Sequence, residues 1–87
     1  MMEEWIGQRV VIDLSSPFVC LGVLAALHEG FVELEDADVH DLRDTHTTRE
    51  NYVVASLRTG IKRNRKRVLI ARGEIVAVAR LKDVVVE

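Results

Sequence analysis

The sequence predicts a mainly β protein: a small, strongly bent, five-stranded antiparallel barrel with a short N-terminal helix and an inserted helix near residues 47–59. Three observations predict it. Short apolar segments bounded by turn residues recur on both sides of one polar stretch. The longest of them, Phe18–Leu27, carries Gly22 at its middle, which marks a bend or bulge. A single region has apolar residues at helical spacing between a capping signal and a glycine.

Met1–Ile6 reads as one helical turn with Trp5 and Ile6 packing down and Gly7 ending it. Arg9–Leu14 alternates, with Val10, Ile12 and Leu14 against Arg9, Val11 and Asp13, as a half-buried strand does. Ser15-Ser16-Pro17 is turn chemistry. Phe18–Leu27 is apolar on both faces, His28-Glu29-Gly30 is a short hairpin loop, and Phe31–Val39 follows with Val32 and Leu34 opposite Glu33 and Glu35.

His40–His46 is a polar connection. Thr47 followed three residues on by Glu50 has capping-box spacing, in which hydroxyl and carboxylate each take an orphan amide. Val53, Leu57 and Ile61, with Val54 beside them, form the apolar stripe, and Gly60 stops the helix. The basic run Lys62–Arg67 leads into Val68–Leu81, two strands around Arg72-Gly73-Glu74, where Gly73 is free to take a positive backbone angle. Leu81–Glu87 is apolar enough to dock as a tail.

At 87 residues the chain is expected to be one domain with a thin core, and its 48% hydrophobic content argues against disorder. The formal charge of −2 hides a strong asymmetry. Eight acids (Glu29, Glu33, Glu35, Asp36, Asp38, Asp41, Asp44, Glu50) face only Arg43 and Arg49 in their stretch. Seven bases and no acid lie from Arg58 to Arg72. This predicts opposed acidic and basic regions, suited to self-association or to phosphates. Apolar outer positions need cover from the helices, the tail or a neighbouring subunit, and open strand edges favour addition of a second copy. The chain is therefore expected to form a homo-oligomer through its strand edges.

Catalytic and metal chemistry find little support. The lone Cys20 sits mid-strand and reads as an inert core thiol. Ser56 has no histidine beside it in sequence, and no phosphate loop or dinucleotide fingerprint occurs. Asp38, His40, Asp41, Asp44 and His46 are ligand types, but their spacing fits no standard zinc arrangement, and a polar loop is the plainer reading. No enzyme, metal or cofactor is expected. One cysteine, no signal peptide and no apolar run of about 20 residues point to a cytoplasmic protein off the membrane.

Two stretches, in order, resemble the Sm/LSm family along most of the chain. Gly22-Val23-Leu24 fits the glycine and leucine of its second strand, and Val32-Glu33-Leu34-Glu35-Asp36-Ala37 its next strand, which ends in Asp-Ala. Ile70-Ala71-Arg72-Gly73-Glu74 fits the Arg-Gly turn of its second signature. The helix occupies the family's variable linker. The resemblance implies an N-terminal helix, five bent strands, a ring built by continuing the sheet between subunits, and single-stranded RNA as a partner.

It also implies a site made of a stacking side chain, an asparagine reading the base edge and the Arg-Gly turn. Arg72 and Gly73 supply the turn. His28-Glu29-Gly30-Phe31 stands where the family carries Asp-x-x-Met-Asn, so Phe31 replaces the asparagine: it can stack on a base but not hydrogen-bond its edge, whereas His28 can do either. Lys62, Arg63, Arg65, Lys66 and Arg67 would attract the phosphate backbone. The competing reading is a structural or protein-interaction barrel without nucleic acid, in which Arg72 pairs with a carboxylate such as Glu74 and the basic run is a solvated face.

Overall fold

The computed structural model describes residues 1–44 and 46–86. A 3-10 turn at Met2–Trp5 precedes β1 (Arg9–Leu14), β2 (Phe18–Leu27) and β3 (Phe31–Asp41). A second 3-10 turn and the helix α1 (Arg49–Thr59) lead to β4 (Arg65–Ala71). The turn Arg72–Glu74 joins β4 to β5 (Ile75–Arg80), and Leu81–Asp83 forms a last 3-10 turn. The five strands make one antiparallel sheet in the order β4-β3-β2-β1-β5.

That order corrects the expected final hairpin. β4 and β5 do not pair with each other; they are the two edges of the sheet. The sheet bends far enough that a three-residue turn carries the chain from one edge to the other. Ser15 anchors the arrival, its amide donating to the Glu74 carbonyl at 2.9 Å and its hydroxyl to the Glu74 carboxylate at 2.6 Å.

The bend has a local cause. Between Leu21↔Asp38 and Val23↔Glu35, β3 spends one residue more than β2. Asp36 takes up the excess with φ +48°, a left-handed conformation that aspartate tolerates better than most residues. Gly22 lies opposite: a Cβ there would meet the Ala37 Cβ and the Glu35 carbonyl oxygen, each at 3.1 Å. The glycine is required by this close approach of two strands.

Each face of the sheet carries a buried cluster. The inner cluster draws Val10, Ile12, Cys20, Leu24, Val32, Leu34, Ala37 and Ile70 from β1 to β4, with Met2 and Trp5 packed against it and Val78 of β5. The outer cluster joins Val11, Val19 and Leu21 to Val53 of α1 and Leu81, with Tyr52, Leu57, Ile61 and Val84 around them. The inserted helix and the tail thus cover what the apolar second face of β1 and β2 requires. Ile6 departs from expectation: it ends the N-terminal turn in an extended conformation and stays 47% exposed.

α1 begins one residue later than the capping box predicts. Thr48 is the N-cap, its Oγ1 accepting from the Asn51 amide at 3.1 Å, so the third helical position is Asn51 and Glu50 is the second. Gly60 ends the helix as expected, with φ +94° and its amide donating to the Ser56 carbonyl at 2.9 Å. β3 runs to Asp41, so His40, expected in a connection, is a strand residue facing the helix. Its ring stacks on Tyr52 with centroids 3.9 Å apart and planes 10° off parallel.

Asp38, Tyr52 and Asn64 tie the insert to the sheet. Asp38, only 7% exposed, accepts from the Tyr52 hydroxyl and from Asn64 Nδ2, the latter at 3.0 Å. The Asn64 side chain also exchanges hydrogen bonds with the Val39 amide and carbonyl, both at 3.0 Å. A buried carboxylate needs such partners, because losing water without replacement is costly.

Candidate nucleic-acid interface

The loop after β2 and the turn after β4 meet on one surface. The His28 amide donates to the Phe31 carbonyl at 2.9 Å, which closes residues 28–30 into a tight loop. Phe31 pairs with Ala71 across β3 and β4, and the ladder runs on as the Arg72 amide donates to the Gly30 carbonyl at 3.1 Å. Arg72 Nε donates to the His28 carbonyl at 2.9 Å. Two segments are thereby held together across as many as 44 positions of sequence.

Four of the predicted site residues, His28, Phe31, Arg72 and Gly73, gather here. Phe31 leaves 45% of its surface exposed, unusual for a phenylalanine in a strand, and the His28 side chain is 49% exposed. Gly73 differs from expectation. It does not adopt a positive φ, and an added Cβ would meet nothing within 4 Å. The fold does not demand a glycine there, and the turn presents bare backbone to solvent.

Arg72 does not take the carboxylate expected of a purely structural turn arginine. Glu74 is engaged by Ser15, and among the described residues Arg72 forms no ion pair. Glu3 feels its charge only weakly: that carboxyl is held below the usual range chiefly by a hydrogen bond from the N-terminal amine, with the Arg72 charge as a small addition. The guanidinium is oriented by one carbonyl and otherwise open, as a group for stacking or phosphate contact should be.

The basic run does not join this surface as a unit. Arg63 pairs with Asp36 at 2.6 Å, and Arg67 with Glu33 at 3.1 Å and Glu35 at 3.6 Å. The acidic and basic stretches thus meet on adjacent strands, correcting the expectation of two opposed regions: β4 pairs with β3, so their charges alternate across one ladder. Arg65 donates to the Asn64 carbonyl at 2.9 Å, and Lys62 and Lys66 stand exposed without a carboxylate partner among the described residues.

Glu33 is the residue that sequence reasoning missed. Its side chain is 16% exposed, with Oε1 on His28 Nε2 at 2.8 Å and Oε2 on Arg67 Nε at 3.1 Å. It links the loop histidine to the basic strand. Alternation alone put Glu33 on the wet face of β3; only the pairing of β3 with β4 sets Arg67 beside it.

The other candidates are engaged elsewhere. Asp38 and His40 belong to the α1 contact, and Asp41 pairs with Arg43 at 2.8 Å, which holds its carboxyl below the usual range through that hydrogen bond. Among the described residues no group of three or more histidines, cysteines or carboxylates gathers as metal ligands. Burial, with the Asp38 charge added, pushes the Cys20 thiol up to about 11. An open groove of about 600 Å³ between α1 and the tail is lined by Glu50, Asn51, Val54, Arg58, Val85 and Val86, with no nucleophile and base among them. No helix among the described residues is long and apolar enough to cross a membrane.

No protein-family model and no curated protein matches the sequence. Solved structures do. An Sm protein of Pyrococcus abyssii, determined in complex with a uridine heptamer, superposes with a TM-score of 0.62 over 91% of this chain and 90% of that one, at 15% sequence identity. The likeness shows the fold: the chain has the Sm-like arrangement of five strongly bent antiparallel strands.

Proposed function

We propose that the protein is an RNA-binding or RNA-associated homo-oligomeric scaffold, one domain, cytoplasmic and not an enzyme. The observation that carries this reading is the joining of the His28–Phe31 loop to the Arg72–Glu74 turn by two hydrogen bonds from Arg72. It leaves an exposed aromatic ring, an imidazole, a guanidinium without an ion pair among the described residues and bare backbone side by side. Unpaired bases are bound by such sets, through stacking and edge hydrogen bonds. The similar archaeal protein was solved with a uridine oligomer, which supports the same ligand class here. The asparagine that reads the base in the family is absent, so that mode of base-specific reading is not available.

Assembly through strand edges is supported by β4 and β5, which each leave one side unpaired within the chain and expose Leu69 (53%) and Val76 (69%). Native mass spectrometry of freshly purified protein tests both parts. A closed multiple of the chain mass carrying nuclease-sensitive material is expected, and Arg72→Ala should release the nucleic acid without dissociating the subunits. A monomer would overturn the assembly.

A second reading, a structural or protein-interaction module without nucleic acid, is favoured by the pairing of Arg63 and Arg67 with this chain's own acids. It predicts the absence of any RNA affinity that falls with salt.

A further inference from the structure

We infer that a second copy of the chain docks on the outward side of α1, the two helices lying antiparallel about a two-fold axis near Val54. The contact is separate from the strand edges and does not rest on the RNA-binding reading. Its ground is an apolar surface that nothing among the described residues covers. Val85 and Val86 are 72% and 40% exposed, and with Val54 they line the open groove between α1 and the tail. None of the three belongs to either buried cluster, although Val53 in the same helix does.

The charges along the groove decide what fits it. Glu50 and Arg58 line it with Val54, at positions i, i+4 and i+8 of one helix. Residues four apart share a helix face, so acid, valine and base follow one another over about 12 Å. Neither charge is used within the chain. Among the described residues Glu50 and Arg58 form no ion pair, and the neighbouring Arg49 is taken by Asp13 at 3.4 Å.

Val54 stands midway between the two charges. Two such helices laid antiparallel across a two-fold axis at Val54 bring each Glu50 to the other copy's Arg58, and Val54 onto Val54. The surface is complementary to itself, which is what an isologous contact requires. Laid parallel, the helices would set like charges together. A wholly apolar ligand would cover the valines and leave both charges unmet.

The position of α1 keeps this contact clear of the sheet edges. The helix packs over Val11 of β1 and over Val19 and Leu21 of β2, and both strands are paired on each side within the sheet. Pairing through α1 therefore uses a different surface from assembly through β4 and β5, and doubles whatever the edges build.

Sedimentation velocity of the full chain at low salt, over a range of concentrations, tests the inference. Glu50→Arg leaves two bases on the helix face and Arg58→Glu two acids. Each variant should therefore repel its own copy and sediment at half the wild-type mass. Mixed one to one they should recover that mass, because the bases of one meet the acids of the other, a pattern that misfolding would not give. The double variant Glu50→Arg/Arg58→Glu only exchanges the two ends and should keep the wild-type mass. Wild-type mass in both single variants, no recovery on mixing, or a double variant that stays at half mass would overturn the inference and leave strand-edge assembly standing. A wild type that is monomeric at every concentration would overturn both.

Discussion

Tyr52 on α1 donates its hydroxyl hydrogen to the Asp38 carboxylate on β3, and this one contact docks the inserted helix on the sheet at a buried charge. His40, two residues along the same strand, stacks on the Tyr52 ring. The helix is thus held by a polar clasp as well as by Val53 and Leu57.

Tyr52→Phe should destabilise the fold by about 1–3 kcal/mol, the cost of removing one partner from a buried acceptor. Urea unfolding at pH 7 measures it. The pH dependence has a definite sign. Burial first, then the hydrogen bond to Asp38, push the tyrosine pKa up. The folded state therefore keeps its proton where the unfolded chain, titrating at about 10, has lost it. The contribution is fully present below that pH and fades as pH rises beyond it. The difference in melting temperature between wild type and Tyr52→Phe should narrow from about pH 10 upward.

Gly22→Ala and Gly73→Ala should behave in opposite ways. At Gly22 the new methyl presses on Ala37 and on the β3 backbone, so a loss of about 1–3 kcal/mol is expected. At Gly73 nothing lies within 4 Å and the φ is ordinary, so the melting temperature should hold. If the turn meets RNA closely, Gly73→Ala should instead weaken RNA binding.

Cys20 should resist alkylation in the folded protein. Its thiol is buried and pushed up to about 11, so little thiolate exists at pH 8. Labelling by iodoacetamide followed by mass spectrometry should be slow in buffer and rapid in urea.

Leu69→Lys and Val76→Lys each place a charge on an exposed edge residue. Surface substitutions of this kind change stability by about 0.5 kcal/mol or less. Light scattering should show smaller assemblies with unchanged circular dichroism. Unchanged assembly size would count against pairing through these edges.

Most of the fold was legible because glycine, turn chemistry and alternation speak locally. Gly22 marked the bend, and the loop at 28–30 and the stop at Gly60 fell where expected. What escaped depended on distance. The hairpin expected across Arg72–Glu74 has no local signal against it; only the curl of the whole sheet sends β5 to β1. The same holds for the site. Arg72, Phe31 and His28 were visible as residue types, whereas the ties of Arg63 and Arg67 to β3 depend on which strand β4 chooses. The cap fell on Thr48 instead of Thr47 because two adjacent threonines offer the same chemistry.

The pairing of β1 with β5 also sets an order of events during synthesis. Of the five strands β5 is made last, and Leu81, fully buried against the outer face, comes after it. Until those residues are made, β1 has one edge unsatisfied and its outer side only partly covered. The nascent chain can form the β2–β3 hairpin early, from neighbouring contacts, whereas closure waits for β5. A chaperone or a finished copy meeting the chain in that interval would find β1 open along the edge that β5 covers in the folded protein.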